Sequence, residues 1–327
     1  MRICIVGAGA MGVMLGVRLE HAGHEVSYID RPDVVPVIRA QGMQLINGDG
    51  AVQEIPNPDI RADYTFDRPF DYVILAVKAH QLAQLAPRLP SILAEKTTVM
   101  TVQNGIPWWY FQLHGGVYDG HRLQALDADG VIESHIAARR IVGCVAYPAA
   151  QTLSPGIVQH IEGLRFTLGE LTGETTARCE AMAGALIGAG LKSYITDNIR
   201  AEIWLKAWGA LSFNTISALT GATMEQICRF PPTRDLAAKM MAEAQVVANK
   251  LGIEFRHTIE KRIDGAEKVG AHKTSMLQDL EAGRKMEIEA VAGVVRELGG
   301  ITGTEVPSID AVYACCRLLD HLLPGQT

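Results

Sequence analysis

Residues 2–30 read RICIVGAGAMGVMLGVRLEHAGHEVSYID. An apolar run at 2–6 ends in glycine, and apolar side chains from Met11 to Leu19 then recur at helical spacing. A second apolar-rich run follows and ends at Asp30. This order predicts a strand, a tight turn, a helix and a second strand, which form a βαβ unit with parallel strands.

The turn after the first strand carries the pattern G-x-G-x-x-G, which is formed by Gly7, Ala8, Gly9, Ala10, Met11 and Gly12. Gly7 permits the tight turn, Gly9 lets the backbone approach a pyrophosphate at the helix N-terminus, and Gly12 lets helix and strand pack closely. A dinucleotide site is therefore predicted here. The alternative is that the glycines serve helix–strand packing alone.

Short strands and helices alternate as far as residue 196, and amphipathic stretches replace them from residue 197. The predicted strands besides the first two are a hairpin around 47–50 and strands at 71–78, 97–105, 140–147, 157–161, 165–168 and 191–195. The predicted helices are 33–41, 80–94, 174–189, 200–218, 233–251, 256–269, 276–282, 286–299 and 307–322.

A chain of 327 residues corresponds to about two domains. The pattern predicts the α/β class, with a doubly wound, mainly parallel sheet in a dinucleotide-binding domain over 1–196. An all-helical domain over 197–327 is expected to carry substrate and catalytic groups.

The end of the second strand bears on which dinucleotide binds. Asp30 follows Gly12 by 18 residues, and Arg31 comes next. An acidic side chain at this point accepts from the ribose 2′-OH of NAD, whereas an arginine pairs with the 2′-phosphate of NADP. The two residues favour opposite cofactors, and Arg31 alone is also compatible with a solvated loop charge.

A lysine lies on one face of the predicted helix 200–218. Lys206, Ala210 and Asn214 are spaced at i, i+4 and i+8, beside an apolar stripe that includes Ile203 and Ala207. Apolar surroundings disfavour a charged lysine and so suit it to give up a proton near neutral pH. The alternative is a lysine whose stem lies along the helix while its charge is in water.

A third polar stretch surrounds Ser275. Ser275 and Gln278 form a capping-box pattern, so Ser275 is expected to open a helix, where its hydroxyl either caps the helix or binds a carboxylate. A continuous helix would separate Ser275 from Glu287 by about 18 Å. Gly283 offers a break between them.

Composition excludes several classes of protein. Thirty basic against 36 acidic residues leave a net charge of −6, so no nucleic acid partner is expected. No run reaches the roughly 18 apolar residues of a membrane span. The six cysteines follow no disulfide or zinc spacing, so reduced thiols, a cytoplasmic location and no metal are expected.

Five segments together resemble the ketopantoate reductases, also called 2-dehydropantoate 2-reductases. They are IVGAGAMG (5–12), VKAHQ (77–81), TVQNG (101–105), IWLK…FNTISALTG (203–221) and HKTSMLQDLEAGRKMEIEA (272–290). The resemblance covers nearly the whole chain. It implies a Rossmann-type domain, a helical domain and NADPH-dependent reduction of a small 2-keto acid to a 2-hydroxy acid, with 2-dehydropantoate, a pantothenate precursor, as the reference substrate.

The resemblance also implies roles for individual residues. Lys206 matches the general acid, and Glu287 matches the carboxylate that holds substrate and positions the lysine. Asn214 and Ser275 match substrate-binding positions. Lys78 and Asn104 match polar positions near the nicotinamide, Asn104 being near the substrate too. In the alternative interpretation Lys78 only ends a strand and Asn104 only forms a turn.

One position departs from the family pattern, which has asparagine where this chain has Ala210. The departure predicts that ketopantoate itself is a poor substrate. The segment 106–139 is longer than in the family, and its Trp108, Trp109 and Tyr110 form either a lid or core packing. The alternatives are a dehydrogenase for another hydroxy acid and a dinucleotide-binding sensor without turnover. A homodimer is left open.

Overall fold

The computed structural model describes residues 1–323, which form two compact units. The sheet unit comprises Met1–Gln103, Phe111–Arg122 and Asp129–Ile199. The helical unit comprises Asn104–Tyr110, Leu123–Ala128 and the chain from Arg200 onward. The chain therefore contributes two short segments to the helical unit well before residue 197.

The strands of the described chain all lie in the sheet unit. They are β1 (Arg2–Val6), β2 (Glu25–Ile29), β3 (Met43–Ile46), β4 (Val52–Ile55), β5 (Asp59–Arg61), β6 (Tyr72–Leu75), β7 (Thr98–Thr101), β8 (Ile141–Ala146), β9 (Ala149–Ser154), β10 (Ile157–Glu162), β11 (Arg165–Glu170) and β12 (Lys192–Ile195).

Eight strands form the main sheet, in the order β12-β11-β8-β7-β6-β1-β2-β5. Neighbouring strands are parallel except β8 and β11. The chain leaves β1 for β2 on one side and later returns to β6 on the other, so the loop after β1 lies at the switch point of the strand order. The predicted α/β fold with a parallel-rich sheet is confirmed.

A second sheet has the order β4-β3-β10-β9. The predicted hairpin at 47–50 is confirmed, because β3 and β4 pair antiparallel around a turn in which Asn47 N–H donates to Ala51 O at 2.8 Å. β5 and β9 were not predicted from the sequence. β9 alternates half-buried and exposed residues and gains its order from antiparallel pairing with β10.

The sheet unit also contains helices α1 (Ala10–His21), α2 (Val35–Gln41), α3 (Leu82–Leu85), α5 (Val131–His135) and α6 (Ala177–Gly188). The apolar face of α1 is buried with the sheet residues Ile3, Ile5 and Ile74 in one core. The predicted single helix over 80–94 is wrong. Only α3 is α-helical there, and Ala86–Ile92 is a 3-10 helix, because Pro87 and Pro90 lack the N–H that an α-helix requires.

The helical unit contains α4 (Gln124–Asp127), α7 (Ile199–Thr220), α8 (Met224–Arg229), α9 (Pro231–Lys250), α10 (Ile259–Glu267), α11 (Ser275–Glu281), α12 (Val294–Thr302) and α13 (Pro307–His321). The predicted helix 286–299 begins instead with a π-helical turn, Glu289–Gly293, before α12. Trp108, Trp109 and Tyr110 are buried, which favours core packing over a lid. Across residues 1–323, no helix has the length and apolar character needed to cross a membrane.

Candidate active site

The glycine pattern of the sheet unit has the geometry of a phosphate-binding turn. Gly7 has φ +103°, and a Cβ there would lie 2.8 Å from Val77 Cγ1 and 2.9 Å from Val77 N. A Cβ on Gly12 would overlap the carbonyl oxygen of Gly7. Neither position can carry a side chain, so the turn after β1 and the start of α1 require both glycines.

Gly9 differs from these two because a Cβ there would meet no protein atom within 4 Å. Gly9 precedes α1, and no side chain caps that end of the helix. Uncapped main-chain N–H groups beside open space suit a pyrophosphate. The residues from Gly7 to Gly12 therefore fit a dinucleotide, with Ala8, Ala10 and Met11 supplying the intervening backbone.

Asp30 is engaged by main-chain groups. One carboxylate oxygen accepts from Ala8 N at 2.5 Å, and the other accepts from Arg31 N at 2.7 Å. The Arg31 side chain is 67% exposed and lies within 4 Å of Asp30 and Asp33. Asp30 thus ties the glycine turn to the end of β2, while the Arg31 guanidinium extends from the same corner.

Two further polar residues lie beyond the carboxyl ends of β6 and β7. The main-chain nitrogen of Lys78 donates to Gln81 Oε1 at 3.0 Å, so Lys78 begins a 3-10 turn as well as following a strand. Gln103 Nε2 donates to the carbonyl oxygens of Leu75 at 2.7 Å and Val77 at 3.0 Å. Gln103 was not predicted as a site residue, although its position just after the buried strand β7 is the signal that could have indicated it.

Three predicted residues of the helical unit form a hydrogen-bonded chain. Lys206 Nζ donates to Asn104 Oδ1 at 2.8 Å, and Asn104 Nδ2 donates to Glu287 Oε2 at 3.2 Å. An ammonium only donates and a carboxylate only accepts, so the amide can be oriented in one way alone. Asn104 therefore couples the lysine to the carboxylate, although 102 and 183 residues separate it from them.

Lys206 is held in place by the packing of α7. Trp204 and Trp208, two residues to either side, are fully buried. The Trp204 indole N–H donates to Tyr110 Oη at 2.8 Å, and that of Trp208 donates to Met241 O at 2.7 Å. These anchors fix the rotation of α7, and Lys206 lies half-buried between them.

Asn214 and Ser275 also meet, with Asn214 Nδ2 3.5 Å from Ser275 Oγ. Ser275 is not the helix cap that the sequence predicted. Thr274 is the N-cap of α11, where its hydroxyl accepts from Leu277 N at 3.3 Å, and Ser275 is the first helical residue. The exposed Ser275 hydroxyl is thus released from the capping role. Gly283, at φ +63°, ends this helical region as expected.

Within residues 1–323, no group of three or more His, Cys, Asp or Glu side chains is arranged to hold a metal ion.

The sequence matches two family models along most of its length. Residues 3–173 match the model described as ketopantoate reductase PanE/ApbA, and residues 198–320 match its C-terminal counterpart. The chain belongs to the ketopantoate reductase family. Family members are oxidoreductases that act on CH–OH donors and use a nicotinamide dinucleotide, so the protein is an oxidoreductase. This favours catalysis over a sensor without turnover.

Individual relatives agree in length and fold. A 2-dehydropantoate 2-reductase from Mesorhizobium japonicum is 45% identical over 322 residues, which is 98% of each chain. A protein from Ralstonia solanacearum MolK2 described as a ketopantoate reductase has 36% identity, a TM-score of 0.92 and 97% coverage of both chains. A D-mandelate dehydrogenase solved with NADH and anilino(oxo)acetate has 25% identity, a TM-score of 0.84 and 99% coverage of both chains.

Proposed function

We propose that this ketopantoate reductase family member reduces a small 2-keto acid to the 2-hydroxy acid with NADPH, and that 2-dehydropantoate or a close analogue is the substrate. The observation that carries the proposal is the chain Lys206–Asn104–Glu287. It joins a proton donor to a carboxylate through an amide whose orientation is fixed. The Mesorhizobium relative supports the choice of substrate.

The protein's own groups would provide the acid side of the reaction. NADPH would be held by the residues from Gly7 to Gly12 with Arg31 and Lys78, and would supply the hydride that reduces the carbonyl carbon of the keto acid. Lys206 Nζ gives its proton to the carbonyl oxygen as negative charge develops there, so the oxygen becomes a hydroxyl. Glu287 acts through Asn104 to hold the ammonium in position. Asn214 and Ser275 bind polar groups of the substrate.

NADPH is proposed over NADH because of the corner at Asp30 and Arg31. Asp30 already accepts from Ala8 and Arg31 main-chain nitrogens, so it serves the glycine turn. The exposed Arg31 guanidinium suits a 2′-phosphate, with which it forms charge-assisted bonds. Gly7 to Gly12 and Lys78 complete the proposed cofactor-binding residues, and Asn104 is shared with the substrate.

A second candidate is the reduction of a different 2-keto acid, and Ala210 favours it. Ala210 lies one helical turn from both Lys206 and Asn214 on α7, so a methyl group interrupts the polar face. A substrate hydroxyl opposite that methyl lacks a partner, whereas an apolar side chain does not need one.

One experiment tests both candidates. Purified protein is assayed against ketopantoate and a panel of apolar 2-keto acids, with NADPH and NADH each followed by absorbance. Turnover of a keto acid with NADPH as the better cofactor is expected. Absence of turnover with every keto acid would contradict the proposed reaction. A cytoplasmic location remains a prediction, which cell fractionation tests. The oligomeric state was left open, and sedimentation velocity would show whether the protein is a homodimer.

A further inference from the structure

One face of α13 carries three polar residues, Tyr313, Arg317 and Asp320, which we call the α13 stripe. Their spacing of four and three residues brings them onto the same side of the helix. All three bind residues that flank Glu287. The stripe therefore faces the segment that carries the proposed carboxylate.

The stripe holds this segment on both sides of Glu287. Asp320 Oδ1 accepts from the main-chain nitrogen of Met286 at 2.9 Å. The Tyr313 hydroxyl lies 3.0 and 3.2 Å from the two carboxylate oxygens of Glu289, and Arg317 Nη1 donates to the same carboxylate. Residues 286 and 289 are thus both fixed, and Glu287 lies between them.

Burial, protonation and available space all favour these three contacts. Asp320 is 7% exposed and Met286 is 2% exposed, so their hydrogen bond is shielded from water. Burial, and then the charge of Glu289, raise the pKa of Tyr313, so its hydroxyl stays protonated and can donate. A Cβ on Gly293 would overlap Glu289 Oε2, so the missing side chain of Gly293 provides the room for that carboxylate.

α13 also contacts the helix that carries Lys206. The buried Cys316 Sγ donates to Thr215 O of α7 at 3.7 Å. One helix therefore contacts both α7 and the segment around Glu287. α13 thus links the two elements that carry the ends of the Lys206–Asn104–Glu287 chain within the helical unit.

We propose that the α13 stripe is a set of positioning residues that holds Glu287 where Asn104 can couple it to Lys206. The inference rests on the proposed function, in which Glu287 orients the acid. Tyr313, Arg317 and Asp320 act through the Met286–Glu289 segment, and no contact of their own with substrate is required.

The test uses the double variant Tyr313→Phe/Arg317→Met, which releases Glu289 while keeping the bulk of both side chains. We expect kcat to fall about tenfold, as small misplacements in a site do, with KM for NADPH unchanged. Hydrogen exchange in residues 286–293 should become faster. An unchanged kcat, or unchanged exchange in that segment, would overturn the inference.

Glu243→Gln provides the matched control for α13. The Glu243 carboxylate accepts from Ser308 N at 2.9 Å and Ile309 N at 3.0 Å, at the start of α13 and away from the stripe. Its loss should lower Tm by a few degrees without lowering kcat. If Glu243→Gln reduces kcat as much as the double variant does, the stripe acts only through helix stability and the proposal fails.

A mutant cycle with Glu287→Gln separates this proposal from the proposed function. If the stripe acts through Glu287, the double variant should cause no further loss of kcat in the Glu287→Gln background. A full additional loss there would overturn the positioning role while leaving Glu287 in the mechanism. Near-native kcat in Glu287→Gln alone would instead reject the assignment of Glu287, and the stripe's role with it.

Discussion

The carbonyl oxygen of Ala290 accepts a hydrogen bond from the main-chain nitrogen of Ile106 at 2.9 Å. Ala290 belongs to the π-helical turn that follows Glu287, and Ile106 follows Asn104 by two residues. Gly105, which lies between Asn104 and Ile106 in the chain, has φ +79°, and a Cβ there would overlap Ala290 O. The approach of these two backbones brings Asn104 and Glu287 together.

Replacing Gly105 with alanine should therefore damage both stability and activity. The added methyl group overlaps a carbonyl oxygen and also strains a left-handed backbone, which together should cost about 2–4 kcal/mol. Urea unfolding measures the cost. Gly252 is the control, because its φ is +82° with nothing within 4 Å of a Cβ. If Gly105→Ala and Gly252→Ala lose the same free energy of unfolding, the overlap with Ala290 O does not contribute.

Lys206→Ala should reduce kcat by roughly 10²-fold or more, the usual scale for a general acid. NADPH affinity should stay nearly unchanged, since Lys206 is proposed to act on the substrate oxygen and is not among the proposed cofactor-binding residues. Steady-state kinetics and cofactor titration measure the two effects. Lys250→Ala, which removes a lysine that binds Thr302 O and Gly303 O, should leave kcat intact. Near-native turnover in Lys206→Ala would remove this lysine from the mechanism.

Arg31→Ala should weaken NADPH binding much more than NADH binding, because only NADPH offers a 2′-phosphate for charge-assisted bonds. Fluorescence titration of both cofactors measures the ratio. Arg68→Ala controls for loss of charge, since Arg68 is 61% exposed and pairs with Glu25. If the native protein binds NADH as tightly as NADPH, the assignment of Arg31 is wrong and Asp30 governs this corner.

Ala210→Asn should raise kcat/KM for ketopantoate and leave that for apolar keto acids unchanged or lower. An amide at this position would pair a substrate hydroxyl whose unpaired state costs about 1–3 kcal/mol. A keto-acid panel on both proteins measures this selectivity. The contrary result is efficient turnover of ketopantoate by the native protein with no gain in the variant, in which case a water fills the space.

Stability should fall at alkaline pH, in part because of Cys316. Burial, and then its neighbour Cys315, raise the pKa of Cys316 from 9.0 to about 12, so folding favours the protonated thiol. Its contribution is complete below about pH 8.5 and is lost as pH rises towards 12, with a slope of at most about 1.4 kcal/mol per pH unit. Urea unfolding from pH 8 to 10.5 should show that the free energy of unfolding falls less steeply with pH in Cys316→Ala than in the native protein.

The exposed Cys315 provides the control for that comparison, because it lies on the same helix. Cys315→Ala should keep most of the native dependence of unfolding free energy on pH, because burial is the larger cause of the raised pKa of Cys316 and Cys315 only the second. Identical slopes for the native protein and Cys316→Ala would show that titration of this buried thiol does not contribute.

Local sequence patterns correctly predicted the features that short-range steric effects determine. The strand, glycine turn and helix of residues 2–21 follow from apolar spacing and from positions that tolerate no Cβ. The π-helical turn at Glu289–Gly293 could not be predicted, since its formation accompanies a contact with Ile106, far away in sequence. The N-cap of α11 lies one residue before the predicted position, because Thr274 and Ser275 are both of a type that caps helices and the sequence does not decide between them.

The site residues divide in the same way. The helical spacing of Lys206 and Asn214 could be calculated from the sequence, but the bonds from Asn104 to Lys206 and Glu287 join distant segments. No periodicity within either segment encodes that meeting. The family resemblance indicated Lys206, Asn104 and Glu287. Only the structure shows that they form a hydrogen-bonded chain with the Asn104 amide in the middle.

The passage of residues 104–110 and 123–128 into the helical unit limits how this protein can be recombined with its relatives. A chimaera joined at residue 199 would take Asn104 from one parent and Lys206 and Glu287 from the other. Gly105 and the π-helical turn that it contacts would then come from different parents, so their close approach would no longer be that of either native protein. Exchange of the intact helical unit requires that residues 104–110, residues 123–128 and the chain from residue 200 be exchanged together, whereas a single crossover yields a hybrid active site.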